Sequence, residues 1–156
     1  MNIRLAEDQD REIIQNLISR QRAFHARLRP DLFKTTWTEE EEVSGWMGQE
    51  DRCALLAENQ GKAIGFILLE ALETKPLLFL VKKRFVYINE IFVEEEWRHN
   101  GVGRALMEAA QKWALRREIP LLRLSVLADN KDAVAFYASL GFSPIMTTLE
   151  AEVRRK

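Results

Sequence analysis

Cysteine is nearly absent from this sequence, and long apolar runs are absent altogether. The 156 residues include one cysteine, Cys53, so an internal disulfide cannot form and a reducing compartment is the natural environment. No apolar run approaches the roughly 20 residues that cross a bilayer. Charged residues follow Met1 too early for the apolar region of a signal peptide. These absences predict a cytoplasmic protein that does not interact with membranes.

An excess of charge of either sign is also missing. The chain has 23 Lys and Arg against 24 Asp and Glu, a formal net charge of −1 at pH 7. A chain this close to neutrality creates no strong field toward nucleic acid, so we expect no nucleic-acid partner. The two histidines, His25 and His99, and the lone cysteine lack the spacing of metal ligands, and we expect no metal.

Length and patterning favour one mixed α/β domain over residues 1–156. Hydrophobic residues make up 47% of the chain, enough for a core, and no linker, repeat or low-complexity segment interrupts it. Periodicity and turn residues predict the elements in order. They are a strand at 2–6, a helix at about 8–28, a second helix from Thr38, strands at 53–58, 62–72 and 85–93, a helix at 101–117, a strand at 121–127, a helix at 131–140 and a strand at about 144–153.

The apolar run Leu77–Val81 lies between the second and third of the three middle strands. It either extends their hairpin or forms an exposed surface that another subunit covers. Lys75 precedes the run and Lys82-Lys83-Arg84 follow it, so polar residues border an apolar patch. We therefore favour a homodimer.

The segment from Arg98 to Arg104 carries the clearest chemical signal. A predicted strand enters a turn with Gly101 and Gly103, and a strong helix follows. The first N–H groups of a helix have no partner inside the helix and carry the positive end of its dipole, and glycines leave them open to approach. The segment therefore suits a pyrophosphate. The predicted contact residues are Arg98, His99, Asn100, Gly101, Val102, Gly103 and Arg104.

Two other phosphate motifs fit this segment less well. A dinucleotide fingerprint needs glycine or alanine where Leu106 stands and an acidic residue where Arg123 stands. The loop of nucleoside-triphosphate enzymes needs Gly-Lys-Ser/Thr, and no lysine follows Gly103. A glycine-containing turn with no ligand is the remaining structural alternative.

Two motifs resemble those of the GNAT superfamily of acetyl-CoA-dependent N-acetyltransferases. The first is Arg98-x-x-Gly101-x-Gly103, similar to the pyrophosphate-binding signature of that family, although His99 stands where glycine is usual. The second is Asn130-x-x-Ala133-x-x-Phe136-Tyr137-x-x-x-Gly141-Phe142, which resembles the family's later segment. The spacing of the motifs and the order of the predicted elements also resemble the family.

The resemblance implies a single-domain fold and a co-substrate. The fold would be a mixed central sheet of six to seven strands, splayed between strands 4 and 5 and flanked by about four helices. Acetyl-CoA would enter the gap, with its pantetheine paired to the backbone of Ile91, Phe92 and Val93, and with Asn130 as a further contact. Exposed strand-edge groups need such partners.

The resemblance also implies direct attack of a neutral amine on the thioester in a ternary complex. Glu90 is the candidate base, or else a solvated polar residue on an edge strand, since alternation near a bulge does not fix its direction. Tyr137 is the candidate acid for the departing thiolate, or else a packing aromatic. A non-catalytic acyl-CoA-binding module would need neither residue, and a nucleotide-binding regulatory domain is a second alternative.

The acceptor is left open by the sequence. The segments expected to build its pocket, about 24–46 and 73–87, mix aromatic and charged side chains. Small-molecule amines, protein N-termini and lysines all agree with that mixture.

Overall fold

The computed structural model of the chain describes residues 1–34 and 43–155, which form two compact units, Met1–Ser125 and Val126–Lys156. The helix predicted to begin at Thr38 starts outside the described residues. No helix among the described residues is long and apolar enough to cross a membrane.

A five-stranded mixed sheet forms the centre of the first unit. Its strands lie in the order of the sequence, the first four antiparallel and the fifth parallel to the fourth. They are β1 (Asn2–Leu5), β2 (Arg52–Asn59), β3 (Lys62–Glu73), β4 (Arg84–Val93) and β5 (Leu122–Arg123).

A tight turn joins β2 to β3, between the strands predicted at 53–58 and 62–72. Its two central residues, Gln60 and Gly61, have φ values of 51° and 78°. Positive φ at both positions is the geometry of a type I′ turn, whose twist matches that of the flanking strands. The turn fixes the register, so the apolar residues of both strands fall on defined faces.

Helix α1 (Arg11–Leu28) covers one face of this sheet. It follows a short 3₁₀ turn at Asp8–Asp10, and Arg4 binds Asp10 through two hydrogen bonds of 2.7 and 2.9 Å. That guanidinium holds the pKa of Asp10 below its usual range. The helix residues Ile14, Leu17 and Ile18 belong to the same buried cluster as Phe66 of β3. Their helical spacing therefore turns one stripe of α1 onto the sheet.

Helix α2 (Val102–Arg116) packs against the sheet through Leu106, Met107, Ala110 and Trp113, all of them buried. A Cβ built at Gly65 would lie 3.5 Å from the Leu106 side chain, whereas the neighbouring Phe66 packs with α1. Since successive strand residues face opposite ways, the two helices cover opposite faces of the sheet.

The second unit contains helix α3 (Lys131–Ser139). Asn130 caps its start, because the Oδ1 atom accepts from the Ala133 N–H at 3.2 Å. Gly141 follows its end with φ at 92°, and the Phe142 N–H donates to the Tyr137 carbonyl at 3.1 Å. Both ends agree with the predicted helix at 131–140.

The predicted numbers of strands and helices were wrong for the described residues. The described residues form five strands and three α-helices, whereas we expected six to seven strands and about four helices. The strand predicted at 121–127 shrinks to Leu122–Arg123, and residues 144–153 form no strand. A strand requires hydrogen bonds to a neighbouring strand, and an apolar sequence pattern alone does not supply them.

Candidate functional site

The edge of β4 that faces away from β3 is the first component of the site. Strand β4 pairs with β3 along its whole length but with β5 only at Val86 and Tyr87. From Ile88 to Val93, no strand of the described residues pairs with this second edge. The pairing between the fourth and fifth strands is thus limited to these two positions. Such an edge offers backbone donors and acceptors to an extended ligand.

A β-bulge interrupts the pairing of β4 with β3. Leu68 pairs with Glu90 and Leu69 pairs with Ile88, so Asn89 is the extra residue. The Asn89 amide donates to Glu70 at 3.2 Å.

Past the bulge, Glu90 lies on the face of the sheet that α1 covers. It stands two residues before the buried Phe92, and strand alternation places both on one side. Its carboxylate accepts from the Arg22 guanidinium of α1 and is largely buried, with 17% of the side chain exposed. The Glu90 side chain therefore points toward α1, whereas the sequence alone left its direction open.

Three consecutive α1 residues contact the last part of β4 and the residue after it. Arg20 pairs with Glu94, Gln21 donates from Nε2 to the Ile91 carbonyl at 3.2 Å, and Arg22 pairs with Glu90. The sequence analysis missed all three. A polar Gln21 at a position of the buried helix stripe was the available signal, because a buried amide needs partners.

Arg98 lies at the C-terminal end of β4. Its Nε donates to the Val93 carbonyl at 3.0 Å, and its guanidinium lies 4.7 Å from the Phe24 ring centroid and 5.6 Å from that of Phe92. Cation–π contacts of this kind fix the side chain over the two rings. The positive charge is therefore held where the strand leaves the sheet.

The turn from His99 to Gly101 opens α2. His99 and Gly101 both have positive φ, 64° and 82°, and the Asn100 side chain donates to the Arg98 carbonyl at 2.9 Å. A Cβ built at Gly101 would meet no atom of the described residues within 4 Å. The space beside Gly101 is therefore open, and the first N–H groups of a helix are groups that an anion can bind.

Two predicted site residues belong to the second unit, and each has a local structural role there. Asn130 is the cap of α3. The Tyr137 ring packs against Phe136 and Phe142, with centroids 5.4 and 5.8 Å away. Burial raises the pKa of Tyr137 to about 12, which makes its hydroxyl a weaker acid than that of an exposed tyrosine.

Other reactive side chains of the first unit suit neither a metal nor a nucleophile. Half-buried His25 stacks near Phe33, at 5.3 Å between centroids, and burial lowers its pKa; the Glu90 charge opposes this shift and Arg22 adds to it. Burial raises the pKa of Cys53 to about 12, which leaves an unreactive thiol. Within the described residues, no three His, Cys, Asp or Glu side chains group as metal ligands.

Gly65 is a further residue that the sequence analysis missed. It pairs with Val93, and a Cβ at this position would lie 2.8 Å from the Phe92 carbonyl oxygen. Only glycine allows β3 and β4 to approach this closely beside the free edge. A glycine inside a strand pattern is the signal that could have identified it.

Comparison with families and curated proteins identifies relatives of this chain. The family model described as "Acetyltransferase (GNAT) family" matches residues 15–142. An uncharacterized N-acetyltransferase, MJ1207, of Methanocaldococcus jannaschii is 33% identical over 98 residues, which are 62% of this chain and 42% of that protein. The ribosomal protein bS18-alanine N-acetyltransferase of Escherichia coli (strain K12) is 30% identical over 133 residues, which are 85% of this chain and 76% of that protein. The chain thus spans less than half the length of the first relative.

Solved structures share the fold. A mutant of the BH1408 protein of Bacillus halodurans superposes with a TM-score of 0.90 at 25% identity, covering 99% of this chain and 100% of that one. The aminoglycoside N-acetyltransferase AAC(6')-Iy in complex with CoA gives a TM-score of 0.72 at 18% identity, with 99% and 100% covered. At that identity the second likeness concerns the fold alone.

Proposed function

Because this chain belongs to the acetyltransferase (GNAT) family, a family of acyltransferases, we propose that it transfers an acetyl group from acetyl-CoA to an amine. One observation carries the proposal: no strand of the described residues pairs with the free edge of β4 after Tyr87, and a short 3₁₀ turn at Glu95–Trp97 then connects β4 to the glycine-containing start of α2. The edge suits an amide-bearing chain, and the helix start suits a pyrophosphate. Acetyl-CoA has both groups, joined in one molecule.

In this proposal, the segment Ile91–Val93 of β4 pairs with the amides of the pantetheine arm through its remaining free backbone groups, since Gln21 and Arg98 already donate to the Ile91 and Val93 carbonyls. The turn 98–104 receives the pyrophosphate through the N–H groups of Val102, Gly103 and Arg104. Arg98 adds positive charge at the point where strand and helix meet, and its contact with the Val93 carbonyl fixes that charge. Asn130 is retained as a candidate cofactor contact, beside its capping role.

The reaction we propose proceeds in one ternary complex. The amine nitrogen forms a bond to the thioester carbon, the C–S bond breaks, and the amine proton leaves to water. Tyr137, which is protonated at neutral pH, gives its proton to the departing thiolate and regains one from water. Glu90, held by Arg22, orients the incoming amine.

The acceptor class we propose is a small-molecule amine or a protein N-terminus or lysine. A relative named for ribosomal protein bS18-alanine supports the protein N-terminus. The charge on Glu90 suits an amine in either setting.

An acceptor screen tests the function. The purified chain is incubated with acetyl-CoA and a panel of polyamines, amino acids, aminoglycosides and peptides, and free thiol release is measured. We expect release with at least one class of amine, and loss of CoA binding by calorimetry in a folded Gly103→Val variant. Tight CoA binding with no thiol release by any amine would favour a non-catalytic acyl-CoA-binding module. Absence of CoA binding by the wild type would overturn the proposal entirely.

A further inference from the structure

Gln21 is buried at the β4 edge with half of its amide unused. The side chain is 5% exposed, and its Nε2 donates to the Ile91 carbonyl at 3.2 Å. Its Oε1 is buried and has no hydrogen-bond partner among the described residues. Apart from Gln21 and Asp10, the buried core of the described residues is hydrophobic, and Asp10 is paired with Arg4. Among the described residues, the Gln21 Oε1 atom is therefore the buried side-chain polar atom that has no partner.

Burial of an amide oxygen without a donor destabilises a protein, so such an atom calls for an explanation. Replacement of the amide by an apolar side chain would have removed the problem. The Arg20–Glu94 and Arg22–Glu90 pairs on either side fix the position of Gln21 along the strand. The amide is thus held in place while its oxygen atom can still accept a hydrogen bond from a ligand.

We propose that Gln21 Oε1 accepts a hydrogen bond from a substrate N–H at the β4 edge. Oε1 and Nε2 share one carbon, so Oε1 lies within one amide group of the Ile91 carbonyl. The side chain donates to the strand carbonyl and presents a second carbonyl of the same chemistry beside it. Gln21 thereby continues the hydrogen-bonding edge of β4 from α1.

This inference rests on the proposed function, in which two groups bring an N–H to this edge. One is an amide of the pantetheine arm of acetyl-CoA, and the other is the amine of the acceptor. Both are N–H donors, and both meet the requirement of a buried carbonyl oxygen. If the pantetheine amide is the donor, removal of Gln21 Oε1 weakens CoA binding. If the acceptor amine is the donor, the same removal weakens acceptor binding instead.

A pair of glutamine-to-methionine variants separates these sources. Gln21→Met keeps the length of the side chain and removes the acceptor, and Gln15→Met makes the same change at a half-buried position of the same helix. We expect Gln21→Met to weaken one ligand by about tenfold or more, as loss of a buried hydrogen bond does. Weaker CoA binding by calorimetry assigns the N–H to pantetheine, whereas a raised KM for the amine at unchanged CoA affinity assigns it to the acceptor. Gln15→Met should change neither.

A measurement on the wild type keeps the inference testable if Gln21→Met does not fold. The side-chain ¹³Cδ resonance of Gln21 should move downfield when CoA, or an acceptor amine with CoA present, saturates the protein, because its oxygen gains a donor. A resonance that moves with neither ligand, or a folded Gln21→Met variant with wild-type Kd and KM, overturns the inference. Either result leaves the proposed function intact, since that fails only if the wild type does not bind CoA or transfer acetyl.

Discussion

The Arg22–Glu90 pair determines what the carboxylate at the bulge can do. A guanidinium bound to a carboxylate fixes the direction of that carboxylate. A carboxylate held in one direction can orient an incoming amine. The bulge at Asn89 and the helix α1 together produce this state, although Glu90 and Arg22 are 68 residues apart in sequence.

Replacement of Glu90 by glutamine tests this assignment. If Glu90 orients the amine, Glu90→Gln should raise the acceptor KM by about tenfold while the acidic limb of the kcat/KM profile keeps its midpoint. The matched control is Glu94→Gln, which alters the other α1-to-strand ion pair. A flattened acidic limb in Glu90→Gln alone would make Glu90 the base instead.

Tyr137 offers a second test at a single hydroxyl. If it protonates the thiolate, Tyr137→Phe should lower the single-turnover rate by about 10²-fold or more with little change in CoA affinity. The pKa of about 12 has its own readout, because the chain has only two tyrosines. In Tyr87→Phe, the absorbance titration of Tyr137 should have its midpoint near 12 rather than about 10. A wild-type rate in folded Tyr137→Phe would mean that the ring only packs.

Strands β3 and β4 form the element on which the site is built, and Gly65 allows their approach. A Cβ at Gly65 would lie 2.8 Å from the Phe92 carbonyl oxygen, closer than real Cβ atoms come. Gly65→Ala should therefore push β4 away and destabilise the protein by about 1–3 kcal/mol in denaturant unfolding. Because Phe92 belongs to the proposed pantetheine edge, CoA affinity should also fall.

Gly45→Ala is the matched control for this change. Among the described residues, a Cβ at Gly45 would meet only the Arg52 side chain, at an ordinary 3.5 Å, so the stability of Gly45→Ala should stay within about 0.5 kcal/mol of that of the wild type. Equal stability and CoA affinity in the two variants would show that the strands tolerate the extra methyl group.

Elements with a local signal were predictable from the sequence. Helix α2 has apolar residues at helical spacing, and the β2–β3 turn has Gly61, so both stand where expected. Residues 144–153, which were predicted to form a strand, pair with no other strand of the described residues. Strand pairing depends on residues that are distant in sequence, so the local pattern of residues cannot predict it. The motif at the start of α2 could be recognised because its residues are close together in the sequence. The role of Gln21 could not be predicted, because its contact with Ile91 forms only in the folded chain.

At the scale of the whole molecule, the β3–β4 connection is the conspicuous surface. The run Leu77–Val81 extends no strand; it forms a turn in which the Leu80 N–H donates to the Leu77 carbonyl. Thr74 closes the connection through hydrogen bonds with Lys83. All five apolar side chains are exposed, with Leu78 completely so and Phe79 at 81%. One of the two alternatives left by the sequence, extension of the hairpin, is therefore wrong.

An exposed apolar patch with a polar border is typical of an interface. A second copy of this chain carries the same patch, and two-fold self-association would cover both at once. We therefore predict a homodimer, whose dissociation constant should rise at least tenfold in a Leu78→Glu/Phe79→Glu variant, measured by light scattering over a range of concentrations. The charged side chains would place carboxylates in the buried centre of the contact, where they lose hydration without a partner. Leu115→Glu is the control, because Leu115 is a 71% exposed leucine on α2, outside the patch. A wild type that stays monomeric at the highest concentration would contradict the prediction, and so would equal weakening by Leu115→Glu.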